Sequence, residues 1–181
     1  GDPELITVKG LRLIQQADAI VYDFLIDQRL LSFARKDAEL ICAGKSSSHH
    51  TMKQEEINRL LAEKAKQHSV VVRLKNGDTY VFGRGAEEAA SLAEQNIPFE
   101  VVSGVSSAVA VPASAGVPLT HRDYASSVAI ITGHRRDDEE VKIADADTLV
   151  FLMPVANLQR IAKKLLEEGR SPETPCALIE K

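Results

Sequence analysis

Residues 70–85 read VVVRLKNGDTYVFGRG, and no other stretch constrains the architecture as strongly. An apolar run of three valines is followed by a turn with three glycines and Asp78, and a helical pattern begins near Arg84. In an open parallel sheet, ligands bind beyond the carboxyl ends of the strands, where glycine lets the backbone approach closely. This turn is therefore the first candidate site, although an Asn-Gly-Asp turn alone is typical of an ordinary strand-to-helix connection.

Strand-like and helix-like segments alternate on both sides of this turn. The expected strands of the first half cover 19–22, 40–41, 70–74 and 99–102. The expected helices begin at the Asp2 cap with Pro3, near residue 27, after a capping box at 51–54 and near Arg84. This alternation predicts a parallel sheet that carries helices on both faces.

The composition changes after Ser103 and Gly104, where small residues dominate 106–113. We therefore expect an N-terminal α/β domain at 1–102 and a C-terminal α/β domain at 103–181. In the second domain, strands are expected at 128–132, 149–153 and 177–179, and an amphipathic helix is expected at 158–166, ending before Gly169.

Composition and charge narrow the class of protein. Of the 181 residues, 44% are hydrophobic and 27% are charged, which allows a substantial core. A formal net charge of -4 gives no general attraction for nucleic acid or for anionic membranes. Two isolated cysteines, Cys42 and Cys176, form neither a disulfide framework nor a zinc motif, so no metal is expected. Since no apolar stretch approaches the ~20 residues that span a bilayer, and no signal peptide pattern is visible, we expect a cytoplasmic protein.

Several longer motifs follow one another along almost the whole chain. They are GDPEL at 1–5, ADAIVYD at 17–23, GK at 44–45, QEEIN at 54–58, VRLK at 72–75, FGRG at 82–85, PLTHRDYA at 118–125 and TGH at 132–134. In these motifs the chain resembles the tetrapyrrole methylase family. The resemblance implies transfer of methyl groups from S-adenosyl-L-methionine to C2 and C7 of uroporphyrinogen III, giving precorrin-2 for sirohaem, cobalamin or another pathway.

The resemblance also implies an architecture. It is a two-domain α/β fold with a parallel sheet in the N-terminal domain and a mixed sheet in the C-terminal domain, and the cofactor lies in the cleft between them. Family members are usually homodimers, and the apolar small-residue stretch 108–115 would be costly to expose in a monomer. Strands expected before Gly1 and after Lys181 are absent from this sequence.

Residue roles carried over from the resemblance fall into two groups. Asp23 matches the proposed general base, which takes a proton from the methylated, cationic macrocycle. Lys45 matches the proposed acid, and holding a substrate carboxylate by charge is an equally open role. The positions that match cofactor contacts are Asn76, Gly77, Asp78, Val81, Ser106, Ser107 and Met153.

The eight carboxylates of uroporphyrinogen III require basic groups in the substrate site. The candidates are Arg84, Arg122, His49, His50 and His121. For Arg84, inside the glycine-rich turn, we favour ligand binding. For Arg122, the alternative to ligand binding is a local ion pair with the adjacent Asp123. For His49 and His50, both ligand binding and a place on a solvated loop stay open.

Two other functions compete with this interpretation. The chain could act on a later corrin precursor as another tetrapyrrole methylase, or it could bind S-adenosylmethionine without catalysis. Asn76 and Thr79 depart from the glycine and proline usual in the family, which favours the non-catalytic module. The presence of Asp23 and Lys45 favours an enzyme. If position 76 needs a positive φ, asparagine is the non-glycine residue that tolerates it best.

Overall fold

The structure, a computed structural model, describes residues 1–44, 52–134 and 141–179. The chain divides into two compact units, residues 1–106 and 107–181. The division falls between Ser106 and Ser107, a few residues after the boundary expected from composition. Each unit is an α/β structure built on its own parallel strands.

The first unit contains three α-helices and three strands in the described residues. They are α1 (Val8–Gln16), β1 (Ala19–Tyr22), β2 (Glu39–Cys42), α2 (Gln54–Gln67), β3 (Val71–Leu74) and α3 (Gly85–Glu94). The strands are all parallel in the order β2-β1-β3. Apolar runs thus predicted the positions of these strands. The central strand β1 is buried and continuously apolar, as expected for a parallel strand that is covered on both faces.

Helices cover both faces of this sheet, as the strand and helix alternation predicted. Successive side chains of β1 point to opposite faces, so Ile20 and Val21 enter different cores. Ile20 packs with Ile14 of α1 and Leu74 of β3. Val21 packs with Ile57 and Leu61 of α2. Both β1 side chains are fully buried, which makes β1 the centre of the unit.

Two expected helices are shorter than the sequence suggested. Asp2 caps a 3₁₀ turn at Pro3–Leu5, where its carboxylate accepts the Glu4 N–H at 2.9 Å. The α-helix starts only at Val8, and Thr7 is its cap. Residues near 27–34 form a 3₁₀ helix, Gln28–Phe33, and Asp27 caps it by accepting the Arg29 N–H at 2.9 Å. Its six residues are typical of a 3₁₀ helix, which is used in short pieces.

The strand expected at 99–102 is absent, and this prediction was wrong. The segment is apolar enough for a strand, but a strand exists only when its backbone pairs with a neighbour. In the described first unit, the ladders join β2 to β1 and β1 to β3, and none reaches 99–102.

The second unit contains α4 (Ser107–Ser114), β4 (Val128–Thr132), β5 (Thr148–Leu152) and α5 (Leu158–Glu167) in its described part. β4 and β5 pair in parallel with Val128 opposite Thr148. The antiparallel member of a mixed sheet does not occur among residues 107–134 and 141–179. The prediction of a strand at 177–179 was wrong for the same reason as that at 99–102, since none of the described strands pairs with it.

An aspartate fixes the amino ends of the strands in each unit. Asp18, before β1, accepts the backbone N–H groups of Ser69 and Val70 before β3. Asp147, before β5, accepts the backbone N–H and hydroxyl groups of Ser126 and Ser127 before β4, all within 3.0 Å. The hydrogen bond from the Val70 N–H makes the largest contribution to lowering the pKa of Asp18. The bonds from Ser126 and Ser127, of which the Ser126 N–H contributes most, lower the pKa of Asp147 to about 2. The opposite, carboxyl ends of β1 and β3 are followed by Asp23 and by the glycine-rich turn.

Candidate active site

Asp23 lies directly after β1, at the carboxyl end of the first sheet. In the ladder, Val21 is opposite Arg73 of β3, and a period of two puts Asp23, Arg73 and Lys75 on one face. That face is the one covered by α2, because Val21 packs against that helix. Strand register therefore brings a carboxylate and two cations together, and Arg73 Nη2 donates to Asp23 Oδ1.

Glu88 completes this group from the first part of α3. Its Oε1 accepts from Arg73 Nε at 3.0 Å and from Lys75 Nζ at 3.1 Å. Gln54, the first residue of α2, adds a third donor at 3.3 Å. We call Asp23, Arg73, Lys75 and Glu88 the charge cluster. Its two negative and two positive charges balance, which is the condition under which buried ions are tolerated.

Arg73, Lys75 and Glu88 were not among the residues predicted from the sequence as functional. A usable signal was present: charged residues at alternate positions at the end of a strand, on the same face as Asp23. The link to Glu88 had no such signal, because it depends on which side of α3 faces the sheet. The backbone also holds Arg73, whose Nη1 donates to the carbonyls of Val21 and Leu74 at 3.3 and 3.2 Å.

The glycine-rich turn after β3 is organised by Asp78. Its Oδ1 accepts the Tyr80 N–H at 2.8 Å, and its Oδ2 accepts the Gly104 N–H at 3.0 Å. Asp78 therefore joins the turn to the segment around Gly104 in the same unit. The left-handed backbone lies at Gly77, with φ of 71°, whereas Asn76 has no positive φ.

Gly77 and Gly104 approach each other more closely than any side chain would allow. A Cβ added at Gly104 would lie 2.1 Å from the Gly77 carbonyl oxygen. This contact explains glycine at position 104 by close backbone approach. The turn after β3 and the segment around Gly104 are consequently held together by this backbone contact and by the hydrogen bonds of Asp78.

The outer part of the turn exposes apolar side chains. Tyr80, Val81 and Phe82 are 54%, 36% and 46% exposed, respectively. Arg84 has a left-handed backbone, φ 57°, and its guanidinium binds Glu87 through two hydrogen bonds of 2.8 and 2.7 Å. The Glu87 carboxylate raises the pKa of Arg84. A partner within its own helix turn thus holds the predicted substrate arginine.

The remaining candidate residues in the described chain lie at the boundary between the two units or within the second unit. Ser106 ends the first unit and Ser107 begins α4. Met153 follows β5 with φ of 56° and is largely exposed. The ring of His121 packs on Tyr124 with centroids 4.8 Å apart, in a turn closed by a bridge to Ala125.

Arg122 lies in the same turn and is exposed. Within the described chain no ion pair joins it to Asp123, whose carboxylate instead lies 3.9 Å from His121 Nδ1. The local ion pair considered as an alternative for Arg122 is therefore not formed. Lys45, His49 and His50 lie outside the described residues.

Comparison with known proteins identifies the family. The family model for tetrapyrrole (corrin/porphyrin) methylases matches residues 1–181. The chain belongs to the tetrapyrrole methylase family. Uroporphyrinogen-III C-methyltransferase of Methanocaldococcus jannaschii is 54% identical to this methylase chain, covering 99% of it and 76% of that protein. The Bacillus subtilis protein of the same name is 48% identical, with coverages of 99% and 72%.

Solved structures agree with the fold of this methylase chain. The uroporphyrin-III C-methyltransferase of Thermus thermophilus complexed with S-adenosyl homocysteine superposes with a TM-score of 0.81. It is 44% identical, and the match covers 95% of this chain and 74% of that one. In the described residues, no helix has the length and apolar character to cross a bilayer, and no group of three or more His, Cys, Asp or Glu side chains is arranged to hold a metal.

Proposed function

We propose that this chain methylates uroporphyrinogen III at C2 and C7 with S-adenosyl-L-methionine as donor, giving precorrin-2. One observation carries the proposal: relatives named uroporphyrinogen-III C-methyltransferase match 99% of the chain at 54% and 48% identity. The match to a structure complexed with S-adenosyl homocysteine supports the methyl donor. We also propose that the protein is a cytoplasmic homodimer. Its partner is this small-molecule substrate, and it binds neither nucleic acid nor membranes.

The donor supplies an electrophilic methyl group on a sulfonium sulfur. In the proposed reaction, a pyrrole carbon forms the new C–C bond while the S–CH₃ bond breaks and its electrons stay on sulfur. The macrocycle is then cationic until it loses a proton, whose bonding electrons return to the ring. Positioning dominates such a transfer, because reactants held in line gain a large entropic advantage.

Asp23 is the proposed proton acceptor. Its side chain is one-third exposed, whereas the other three members of the charge cluster are 6–12% exposed. Asp23 is therefore the member that a bound ligand can reach. The largely enclosed Arg73 side chain donates to Asp23 Oδ1 and fixes the orientation of the Asp23 carboxylate. A proton acceptor must be held in such a fixed orientation.

The glycine-rich turn fits a nucleoside-bearing ligand. Gly77 and Gly104 remove side chains where the backbone must be approached, and Tyr80, Val81 and Phe82 offer apolar surface. Both oxygens of Asp78 are already used by backbone N–H groups, so we propose that Asp78 shapes the turn as well as facing the donor. We propose further donor contacts from Asn76, Val81, Ser106, Ser107 and Met153.

Cations for the substrate carboxylates are proposed at Arg84, Arg122 and His121. Arg84 and Arg122 are exposed, and the bidentate partner of Arg84 is the half-exposed Glu87. Exposed ion pairs are weak, since side-chain entropy and solvent oppose them. A polyanionic ligand can therefore displace Glu87 from Arg84 at small cost. Lys45, His49 and His50 are proposed to act on the same substrate.

The deciding experiment is product analysis by mass spectrometry. The intact chain is incubated anaerobically with uroporphyrinogen III and S-adenosylmethionine, with S-adenosylhomocysteine replacing the donor in the control. We expect a mass gain of two methyl groups and matching formation of S-adenosylhomocysteine. Binding of S-adenosylhomocysteine without methyl transfer would support the non-catalytic module, and methylation of a later corrin precursor alone would support the other methylase activity.

A further inference from the structure

Glu88 is the most enclosed carboxylate of the charge cluster, with 6% of its side chain exposed. A single oxygen, Oε1, receives Arg73 Nε, Lys75 Nζ and Gln54 Nε2 within 3.3 Å. Such concentration of donors on one buried oxygen fixes all three in place. Nothing in the proposed reaction requires Glu88 to contact substrate, since Asp23 is the exposed member.

Lys75 lies between two carboxylates but is shared unequally. Its Nζ is 3.1 Å from Glu88 Oε1 and 3.8 Å from Asp23 Oδ2. The shorter distance is a hydrogen bond, and the longer one is an electrostatic contact without one. The other Asp23 oxygen, Oδ1, is bound by Arg73 Nη2. Oδ2 is thus the oxygen of Asp23 with room for a further partner in the cluster.

We propose that Glu88 is a positioning residue, which holds Lys75 back from Asp23 Oδ2 so that this oxygen can accept the proton released by the substrate. The inference rests on the proposed function, in which Asp23 takes that proton. In the step, the proton leaves the cationic macrocycle, its bonding electrons remain on the ring, and a new O–H bond forms at Oδ2. Glu88 takes no part in bond making and acts through Lys75.

The balance of charge explains why this restraint is needed. Without the negative charge of Glu88, two largely enclosed cations would face one carboxylate. Arg73 is also held by the carbonyls of Val21 and Leu74, whereas no other hydrogen bond of Lys75 Nζ is found in the described residues. Lys75 is therefore the cation expected to move, by less than an ångström, onto Asp23 Oδ2. A direct ion pair there would occupy the proton-accepting oxygen.

The test uses the variant Glu88→Gln and the double variant Glu88→Gln/Lys75→Met in the full-length protein. We expect Glu88→Gln to lower kcat by about 10²-fold, the lower end of the range for acid–base groups, with little change in KM for either substrate. Adding Lys75→Met removes the competing cation and restores the charge balance, so kcat should recover at least tenfold, or ~1.4 kcal/mol in the barrier. A purely structural defect would instead become worse. Glu94→Gln, at the exposed end of α3, is the matched control.

A crystal structure of Glu88→Gln gives a readout independent of activity. We expect the distance from Lys75 Nζ to Asp23 Oδ2 to shorten from 3.8 Å to that of a direct hydrogen bond. An unchanged distance, normal turnover of Glu88→Gln, or a double variant no faster than the single one would each overturn the inference. If the single variant does not fold, the charge-balanced double variant decides, because the proposal requires it to exceed Asp23→Asn in turnover. If the wild-type protein does not methylate uroporphyrinogen III, the proposed function is overturned instead of this inference.

Discussion

Asp23 is the residue at which the proposed function distinguishes donor binding from the chemical step. We predict that Asp23→Asn lowers kcat by roughly 10²–10⁴-fold, because asparagine keeps the shape and the Arg73 contact but does not take up the proton. The affinity for S-adenosylhomocysteine, measured by calorimetry, should change little. Turnover and product mass are measured with uroporphyrinogen III and S-adenosylmethionine.

The thermal midpoint of Asp23→Asn serves as the control for folding. Turnover near that of the wild-type chain, with intact donor binding, would contradict the assignment of Asp23 as base. Positioning of the two reactants would then account for catalysis without a proton acceptor at this site.

Gly104 tests the loop contact beyond β3. We predict that Gly104→Ala weakens S-adenosylhomocysteine binding by about tenfold or more and destabilises the chain by about 1–3 kcal/mol, because its Cβ would lie 2.1 Å from the Gly77 carbonyl. Movement apart of the loops would also break the bond from the Gly104 N–H to Asp78. Calorimetric titration and chemical denaturation measure the two effects.

Ser103→Ala is the matched control, because it changes the neighbouring exposed residue without adding a Cβ. Equal donor affinity in Gly104→Ala and Ser103→Ala would show that the loop contact does not shape the donor site.

Asp147 gives a prediction for the amino ends of β4 and β5. Its pKa is about 2 in the folded chain against an ordinary 3.8, so folding favours the charged carboxylate. The resulting stability is complete above the unfolded pKa and is lost as the pH falls through 3.8 toward 2. We predict that Asp147→Asn lowers the thermal midpoint at pH 6, and that its difference from wild type narrows by pH 3.

Scanning calorimetry from pH 7 to pH 2.5 measures this difference, and Asp145→Asn, a nearby exposed carboxylate, is the control. A deficit for Asp147→Asn that stays constant over the whole pH range would refute the contribution of its charge.

Some strands can be predicted from local sequence, whereas others depend on pairing with distant parts of the chain. β1, β3 and β4 were recognisable because each contains a short run that is mainly apolar, with the sequences AIVY, VVRL and VAIIT. The segments 99–102 and 177–179 have the same local character without a pairing partner, and partnership is a property of the sheet rather than of the segment. The candidate site shows the same division. The glycine-rich turn and the place of Asp23 after a strand were visible in local sequence, and the resemblance gave Asp23 its expected role. The contact of Glu88 with Arg73 depends instead on which side of α3 faces the sheet.

At the scale of the whole molecule, we predict a homodimer. α4 contains residues 108–114 of the apolar 108–115 stretch. Val109 on this helix is 51% exposed in a single chain, and Val105 and Val117 on either side of the helix are 40% and 38% exposed. Exposed apolar area of this kind is characteristic of protein interfaces. Light scattering across micromolar concentrations should give twice the mass of one chain, and Val109→Asp should shift the mass toward one chain. A monomeric mass at every concentration would reject the dimer.

Phe82 and Arg84, on either side of Gly83, both have a left-handed backbone, with φ of 51° and 57°. Side chains in that region cost about 1–2 kcal/mol each relative to glycine, so the turn is less stable than a glycine version would be. Selection for heat resistance alone would favour glycine at both positions. If the turn binds the ligand as proposed, we expect Phe82 and Arg84 to persist under such selection, because the ring and the guanidinium would be needed for binding at a cost in thermostability.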